Sequence, residues 1–86
     1  MNAPWNANTV KISVTKHFAI KYLRKWNWNF HDLRDAFQDA YKIESAGSEK
    51  FEVYIEKGGF KKVIVVYYTA AEELVCISGS EGGKRI

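Results

Sequence analysis

The segment FEVYIEKGGFKKVIVVYYT, residues 51–69, carries the clearest structural signal in this 86-residue chain. Its first part, residues 51–57, alternates apolar and polar side chains, and its last part, residues 60–69, is rich in Val, Ile and Tyr. Both patterns are typical of β-strands. Because two glycines, Gly58-Gly59, separate the strands, the segment predicts a hairpin with a tight two-residue turn.

This turn fixes which residues face each other, since it pairs Lys57 with Phe60. Successive side chains of a strand point to opposite faces of the sheet. One face of the hairpin then carries Phe51, Val53, Ile55, Ile64 and Val66, and we expect the helices to pack on this face. The other face is also apolar, through Tyr54, Val63, Val65 and Tyr67.

A final strand is predicted over residues 73–78. If Ala70-Ala71 is a second two-residue turn, Val75 and Ile77 join the first face, and Leu74 and Cys76 join the second. The second face then needs a cover. The chain's own N-terminal segment with Trp5, a partner protein or second copy, and a ligand are the three candidates. The candidate partner interface is Tyr54, Val63, Val65, Tyr67 and Leu74.

Two helices are predicted before the hairpin. Thr15 is the expected N-cap of a helix over residues 16–26, and Asn29 of a second helix over residues 30–41. A short strand over residues 10–14 precedes them, and residues 42–45 could begin another strand. The predicted fold class is therefore α+β, with two N-terminal helices packed on a three- to four-stranded antiparallel β-meander.

We expect one domain over residues 1–86, with a flexible lead-in at 1–9 and a flexible Gly/Ser-rich basic tail at 79–86. No apolar run is long enough to cross a membrane, and the N-terminus does not resemble a signal peptide. Cys76 is the single cysteine of the chain. These features together predict a cytoplasmic protein.

The formal net charge is +3, and its distribution is uneven. Residues 15–25 contain four lysines and arginines and no acidic residue. Ordinary solvated helix faces would explain this pattern, and so would a surface that binds phosphate groups. The candidate RNA-binding residues are His17, Lys21, Arg24, Lys25, Lys61, Lys62, Lys84 and Arg85.

Cations with nearby aromatic rings, here Tyr54, Tyr67 and Tyr68, are suited to single-stranded RNA. They could also stabilise the charge that develops when a ribose 2′-hydroxyl attacks its phosphate. No catalytic residue is assigned. The sequence predicts no cofactor and no metal, because Cys76 is isolated and the two histidines, His17 and His31, lie on different elements. A helix-turn-helix is disfavoured, since aspartates cover the exposed face of the second helix.

The order of elements resembles the RelE/ParE toxin superfamily, and in particular its small uncharacterised branch. The residues that carry the resemblance are Thr15-Lys16-His17-Phe18 with Lys21, Arg24 and Lys25, then Asp32-Leu33-Arg34-Asp35-Ala36, and the strand from Val63 to Tyr68. The resemblance implies messenger RNA cleavage without a metal, or gyrase inhibition, and neutralisation by a small antitoxin. The predicted last strand lacks the arginine and the terminal aromatic or histidine of active ribonucleases, so no catalytic residue is carried over.

Two functions are therefore expected. The first is a toxin-like protein that binds RNA or the translation machinery, with metal-free endoribonuclease activity as one form of it and an antitoxin as partner. The second is a non-enzymatic protein-interaction module of unknown function, with a homodimer built through the second sheet face as one form of it. A small-molecule pocket between helices and sheet is a third idea, but no convergent polar side chains support it.

Overall fold

The computed structural model of the protein describes residues 4–57 and 60–81. The strands are β1 (Lys11–Val14), β2 (Ala40–Gly47), β3 (Lys50–Lys57), β4 (Phe60–Tyr68) and β5 (Glu73–Glu81). Helix α1 covers residues 16–26, and helix α2 is Phe30–Gln38. Both helices lie between β1 and β2 in the chain.

All five strands form one mixed sheet in the order β1-β5-β4-β3-β2. Strands β2 to β5 pair in an antiparallel manner, whereas β1 pairs with β5 in parallel, with Ile12 opposite Leu74. The chain therefore passes from one edge of the sheet to the other through α1 and α2. Strand β5 lies between β1 and the hairpin formed by β3 and β4.

The predicted fold class is wrong in its architecture. The protein is not two N-terminal helices on a three- to four-stranded antiparallel meander, because the predicted first strand, β1, pairs in parallel with β5 and makes the sheet five-stranded and mixed. The prediction missed this pairing because the two strands are far apart in the sequence. Strand β1 has only four residues, and its partner begins about sixty residues later, so no local pattern indicates that they pair.

The predicted hairpin register is confirmed. Lys57 lies opposite Phe60, and the same spacing continues to Lys50 opposite Tyr67. The predicted Gly58-Gly59 turn lies outside the described residues. Val53, Ile55, Ile64 and Val66 are fully buried on the face that the helices cover, which we call the helix side of the sheet. The opposite face, which we call the open sheet face, carries Tyr54, Val63, Val65 and Tyr67.

The predicted register between β4 and β5 is wrong by one residue from Val66 to Tyr68, and by two residues beyond the bulge next to Val65. Tyr68 pairs with Leu74, because the connection is longer than a two-residue turn and Glu72 adopts a positive φ of 60°. A slip of one residue transfers every side chain of a strand to the other face. Leu74 and Cys76 are therefore buried on the helix side, and Val75 faces the open side opposite Tyr67.

Helix α1 has the predicted bounds and the predicted cap. The Thr15 hydroxyl accepts a hydrogen bond from the backbone N–H of Phe18 at 3.1 Å. The middle of the helix, Ala19–Leu23, is a π-helical turn, in which the Arg24 N–H donates to the carbonyl of Ala19. The helix ends at Asn27, whose φ of 59° is one that asparagine tolerates better than most residues.

Helix α2 begins with the predicted cap and ends earlier than predicted. Asn29 and Asp32 form a reciprocal capping box, with hydrogen bonds of 2.8 and 3.0 Å. The helix ends at Gln38 instead of residue 41, because Ala40 already pairs with Ile55 in the sheet. Leu33, Ala36 and Phe37 pack on the helix side.

The N-terminal segment also packs on the helix side. Trp5 is buried, with its ring centroid 5.4 Å from that of Phe51 and 5.5 Å from that of Tyr68. The Arg34 guanidinium donates to the Ala7 carbonyl at 3.1 Å and ties this segment to α2. The suggestion that Trp5 covers the second sheet face is therefore wrong. The flexibility of residues 1–9 and 79–86 stays a prediction; within the predicted tail, residues 79–81 belong to β5.

Candidate nucleic-acid interface

The exposed side of α1 carries three cations and a histidine. His17, Lys21, Arg24 and Lys25, which we call the basic helix face, are all exposed. The periodicity of the helix turns Phe18 and Leu23 into the core, so that these four polar side chains point away from the sheet. The structure thus brings together the four candidate residues that the sequence placed on this helix.

No acidic side chain of α1 opposes these charges, because the helix contains none. Within residues 4–57 and 60–81, neither Lys21 nor Arg24 forms an ion pair with a carboxylate. The two lie three positions apart on one helix face, where like charges repel. The Lys21 ammonium lies 6.0 Å from the centroid of the Tyr22 ring, and His17 lies 6.0 Å from the same ring.

A row of aromatic rings runs along the flank of the basic helix face. The centroid of Tyr22 lies 5.5 Å from that of Trp26, which lies 5.1 Å from that of Trp28. All three rings are partly exposed. We call Tyr22, Trp26 and Trp28 the aromatic row. It supplies flat, amphipathic surface beside the cations, which is the combination that single-stranded nucleic acids use.

Lys61 and Lys62 lie on opposite sides of the sheet, although they are adjacent in β4. The Lys62 ammonium lies 4.9 Å from the centroid of Trp26 and 5.8 Å from that of Trp28, so it joins the aromatic row. The Lys61 ammonium lies 5.9 Å from the centroid of Tyr41 on the open sheet face. Two further candidates, Lys84 and Arg85, lie outside the described residues.

The aromatic residues that the sequence placed beside the cations lie elsewhere. Tyr54 and Tyr67 are on the open sheet face, and Tyr68 packs against Trp5. The rings beside the basic helix face belong to α1 itself and to the residues that follow it. Tyr22 and Trp26 were not among the candidate binding residues, although their spacing of four residues places both rings on one side of α1.

The open sheet face has a different character. Three of its tyrosines each lie beside a lysine: Tyr41 beside Lys61, Tyr54 beside Lys42 at 5.1 Å, and Tyr67 beside Lys50 at 5.9 Å. The Tyr54 hydroxyl donates to a carboxylate oxygen of Glu52 at 2.9 Å. None of the described helices covers this face.

A depression of about 500 Å³ lies in the open sheet face. The side chains that line it are Glu52, Tyr54, Val63, Val65, Ser78 and Ser80. It forms where the pairing of β4 with β5 shifts by one residue next to Val65, and where β5 carries only small side chains. Of the five predicted interface residues, four lie on this face, and Leu74 does not.

The structure offers little for metal or thiol chemistry in its described part. Residues 4–57 and 60–81 contain no group of three or more His, Cys, Asp and Glu side chains arranged to hold a metal ion. Burial raises the pKa of the Cys76 thiol far above its usual range, so that the thiol stays protonated. His17 and His31 are exposed on separate helices. No helix among the described residues is long and apolar enough to span a bilayer.

No protein-family model, curated protein or solved structure matches this chain. The site therefore has to be interpreted from its own geometry. It offers two surfaces on opposite sides of one sheet: a basic helix face flanked by aromatic rings, and an open sheet face rich in tyrosine.

Proposed function

We propose that this protein binds single-stranded RNA through the basic helix face, as a toxin-like protein of the cytoplasm that acts on RNA or on the translation machinery. The observation that carries the proposal is the charge of α1. Lys21, Arg24 and Lys25 are exposed on this helix beside His17, and the helix contains no acidic residue. A phosphate backbone would relieve the repulsion between Lys21 and Arg24, and its binding would release counterions.

The aromatic row favours single-stranded RNA over duplex RNA as the ligand. Unpaired bases stack on aromatic rings, whereas the bases of a duplex are already stacked. Tyr22 lies beside Lys21, and the aromatic row continues from it to Trp26 and Trp28. A strand whose phosphates follow α1 would therefore bring its bases to these rings. A metal-free ribonuclease activity, neutralised by an antitoxin, belongs to the same proposal, and no residue is given a catalytic role in it.

The binding test compares two double variants of equal net charge. Lys21→Ala/Arg24→Ala removes two cations from the basic helix face, and Lys50→Ala/Lys61→Ala removes two from the open sheet face, so each lowers the formal charge from +3 to +1. Fluorescence anisotropy with a labelled single-stranded RNA would be measured at several salt concentrations. The first variant should lose about 1.4 from the slope of log K against log salt, at about 0.7 for each lost phosphate contact.

The control variant should keep the slope of the unmodified protein. An equal decrease of the slope in both variants would contradict the assignment of RNA binding to α1, since RNA binding would then respond to net charge alone. Tryptophan emission gives a second measurement. Single-stranded RNA should quench it more than duplex RNA of the same length, because two of the three tryptophans belong to the aromatic row.

The biological part of the proposal has its own test. Controlled expression in bacteria should arrest growth and translation, and the arrest should disappear when His17, Lys21 and Arg24 are replaced by alanine and the protein remains folded. Full growth at high soluble expression would favour the alternative function, a non-enzymatic interaction module. That alternative depends on the open sheet face.

A further inference from the structure

We infer that the open sheet face is the contact surface of a homodimer, in which two copies pack sheet against sheet. The face has an apolar centre formed by Val63, Val65 and Val75, and two of its tyrosines are strongly exposed, Tyr41 at 46% and Tyr67 at 41%. No described element of the same chain packs on it. An apolar centre inside a polar rim is the usual anatomy of a protein interface.

The charge of this face argues for a second copy as the partner. Four lysines lie on it, Lys11, Lys42, Lys50 and Lys61, against four glutamates, Glu44, Glu52, Glu56 and Glu73. The face is thus neutral, and it offers no net field to attract nucleic acid or a charged partner. Because both signs alternate on one surface, a two-fold rotation can set lysines of one copy opposite glutamates of the other.

The size of the face fits a dimer of ordinary stability. Five strands of 4, 8, 8, 9 and 9 residues, with a rise of about 3.3 Å per residue and a spacing of about 4.8 Å, give a face on the order of 600 Å². A standard interface buries about 800 Å² on each partner. The open sheet face alone therefore supplies most of the area that such an interface needs.

The depression gives the contact a specific geometry. Tyr67 lies two residues beyond Val65 on the same face of β4, so it stands beside the depression. A two-fold axis that passes between Tyr67 and the depression would place Tyr67 of each copy in the depression of the other. The valines would then contact the ring, and the Glu52 carboxylate and the Ser78 and Ser80 hydroxyls would be available to its hydroxyl.

The first test is the mass of the protein in solution. Sedimentation equilibrium should give twice the 9.9 kDa of the single chain. Tyr67→Glu should give a single chain with an unchanged circular dichroism spectrum, since Tyr67 is exposed. The matched control is Ile20→Glu, because Ile20 is 51% exposed on α1, and this variant should remain dimeric. A wild-type protein that stays a single chain at millimolar concentration would overturn the inference, and so would dissociation of the Ile20 variant alone.

The second test distinguishes a second copy from a different protein. One variant carries glutamate at Lys42, Lys50 and Lys61, and the other carries lysine at Glu44, Glu52 and Glu56. Each should be a single chain by itself because like charges face each other, and an equimolar mixture should form a mixed dimer. A mixture of the two folded variants that stays monomeric would overturn the charge pairing between copies. Neither test involves RNA, so a negative result would contradict the homodimer and would not bear on the proposed RNA binding.

Discussion

Trp26 packs directly against the backbone of Gly79. A Cβ atom at Gly79 would lie 3.0 Å from Cη2 of the Trp26 ring and 3.2 Å from the carbonyl oxygen of Val63. Both distances are shorter than a carbon side chain normally tolerates. Gly79 therefore allows α1 to approach β5, and it holds the aromatic row beside the basic helix face.

Gly79→Ala should destabilise the fold for this reason. Because the ring and the strand would have to move apart, we expect the free energy of unfolding to fall by about 1–3 kcal/mol. Urea denaturation would measure the change. Ser80→Ala is the matched control, since Ser80 lies on the open sheet face, and its effect should stay within about 0.5 kcal/mol. Equal effects of the two substitutions would show that the ring does not need the glycine.

Leu74 and Val75 provide a test of the β4–β5 register. Leu74 is fully buried on the helix side, so Leu74→Ala should lower the free energy of unfolding by about 2–5 kcal/mol. Val75 is only half-buried on the open sheet face. With both substitutions made in the single-chain Tyr67→Glu background, where no second copy covers Val75, Val75→Ala should cost less than half as much. The register expected from a two-residue turn makes the opposite prediction. A larger loss of stability for Val75→Ala than for Leu74→Ala would therefore support that register instead.

Cys76 should make stability depend on pH in alkaline solution. Burial raises the pKa of its thiol in the folded protein, whereas the thiol of the unfolded chain ionises near pH 8.5. Above that pH the unfolded state binds fewer protons than the folded state, so the stability from this group is present below about pH 8.5 and is lost as pH rises, by about 1.4 kcal/mol per unit.

Cys76→Ala isolates this effect. The unmodified protein should be more stable than the variant at pH 7, and the difference should shrink by about 2 kcal/mol at pH 10, since about 1.5 pH units lie above the thiol's ordinary pKa. Urea denaturation of both proteins across this range is the measurement. A constant difference would mean that the thiol also ionises in the folded state.

Glu72 adopts a left-handed backbone conformation, with a φ of 60°, in the connection between β4 and β5. A residue with a Cβ pays about 1–2 kcal/mol for this conformation, whereas glycine does not. Glu72→Gly should therefore raise the free energy of unfolding by up to about 1 kcal/mol, after the greater flexibility of the unfolded glycine chain is included. Thermal unfolding would check it, and a decrease would indicate that the carboxylate stabilises the connection.

Local patterns in the sequence predicted those parts of the fold that local chemistry determines. Thr15 and Asn29 could be identified as caps because each satisfies backbone N–H groups within three residues. The hairpin register followed from two glycines between β-type runs, and it is confirmed down to Lys50 opposite Tyr67. The basic helix face could be proposed because residues 15–25 contain four lysines and arginines and no acidic residue.

The remaining features depend on distant residues or on one unusual φ angle. The pairing of Ile12 with Leu74 cannot be inferred from either strand, because nothing in a four-residue strand selects its partner. The single left-handed residue Glu72 moved Leu74 and Cys76 from the expected surface into the core. Trp26 was not predicted as part of a binding surface, because only the packing shows that part of its ring stays exposed beside Lys62.

The position of β5 between β1 and β4 has a consequence for folding during synthesis. The ribosome produces β1 long before β5, so the first strand has no partner while the helices and the hairpin emerge. Until β5 inserts, both β1 and β4 present unpaired edges, which are prone to association with other chains. We therefore expect nascent chains that end before residue 73 to aggregate or to be degraded, and the complete sheet to form only after β5 has left the ribosome.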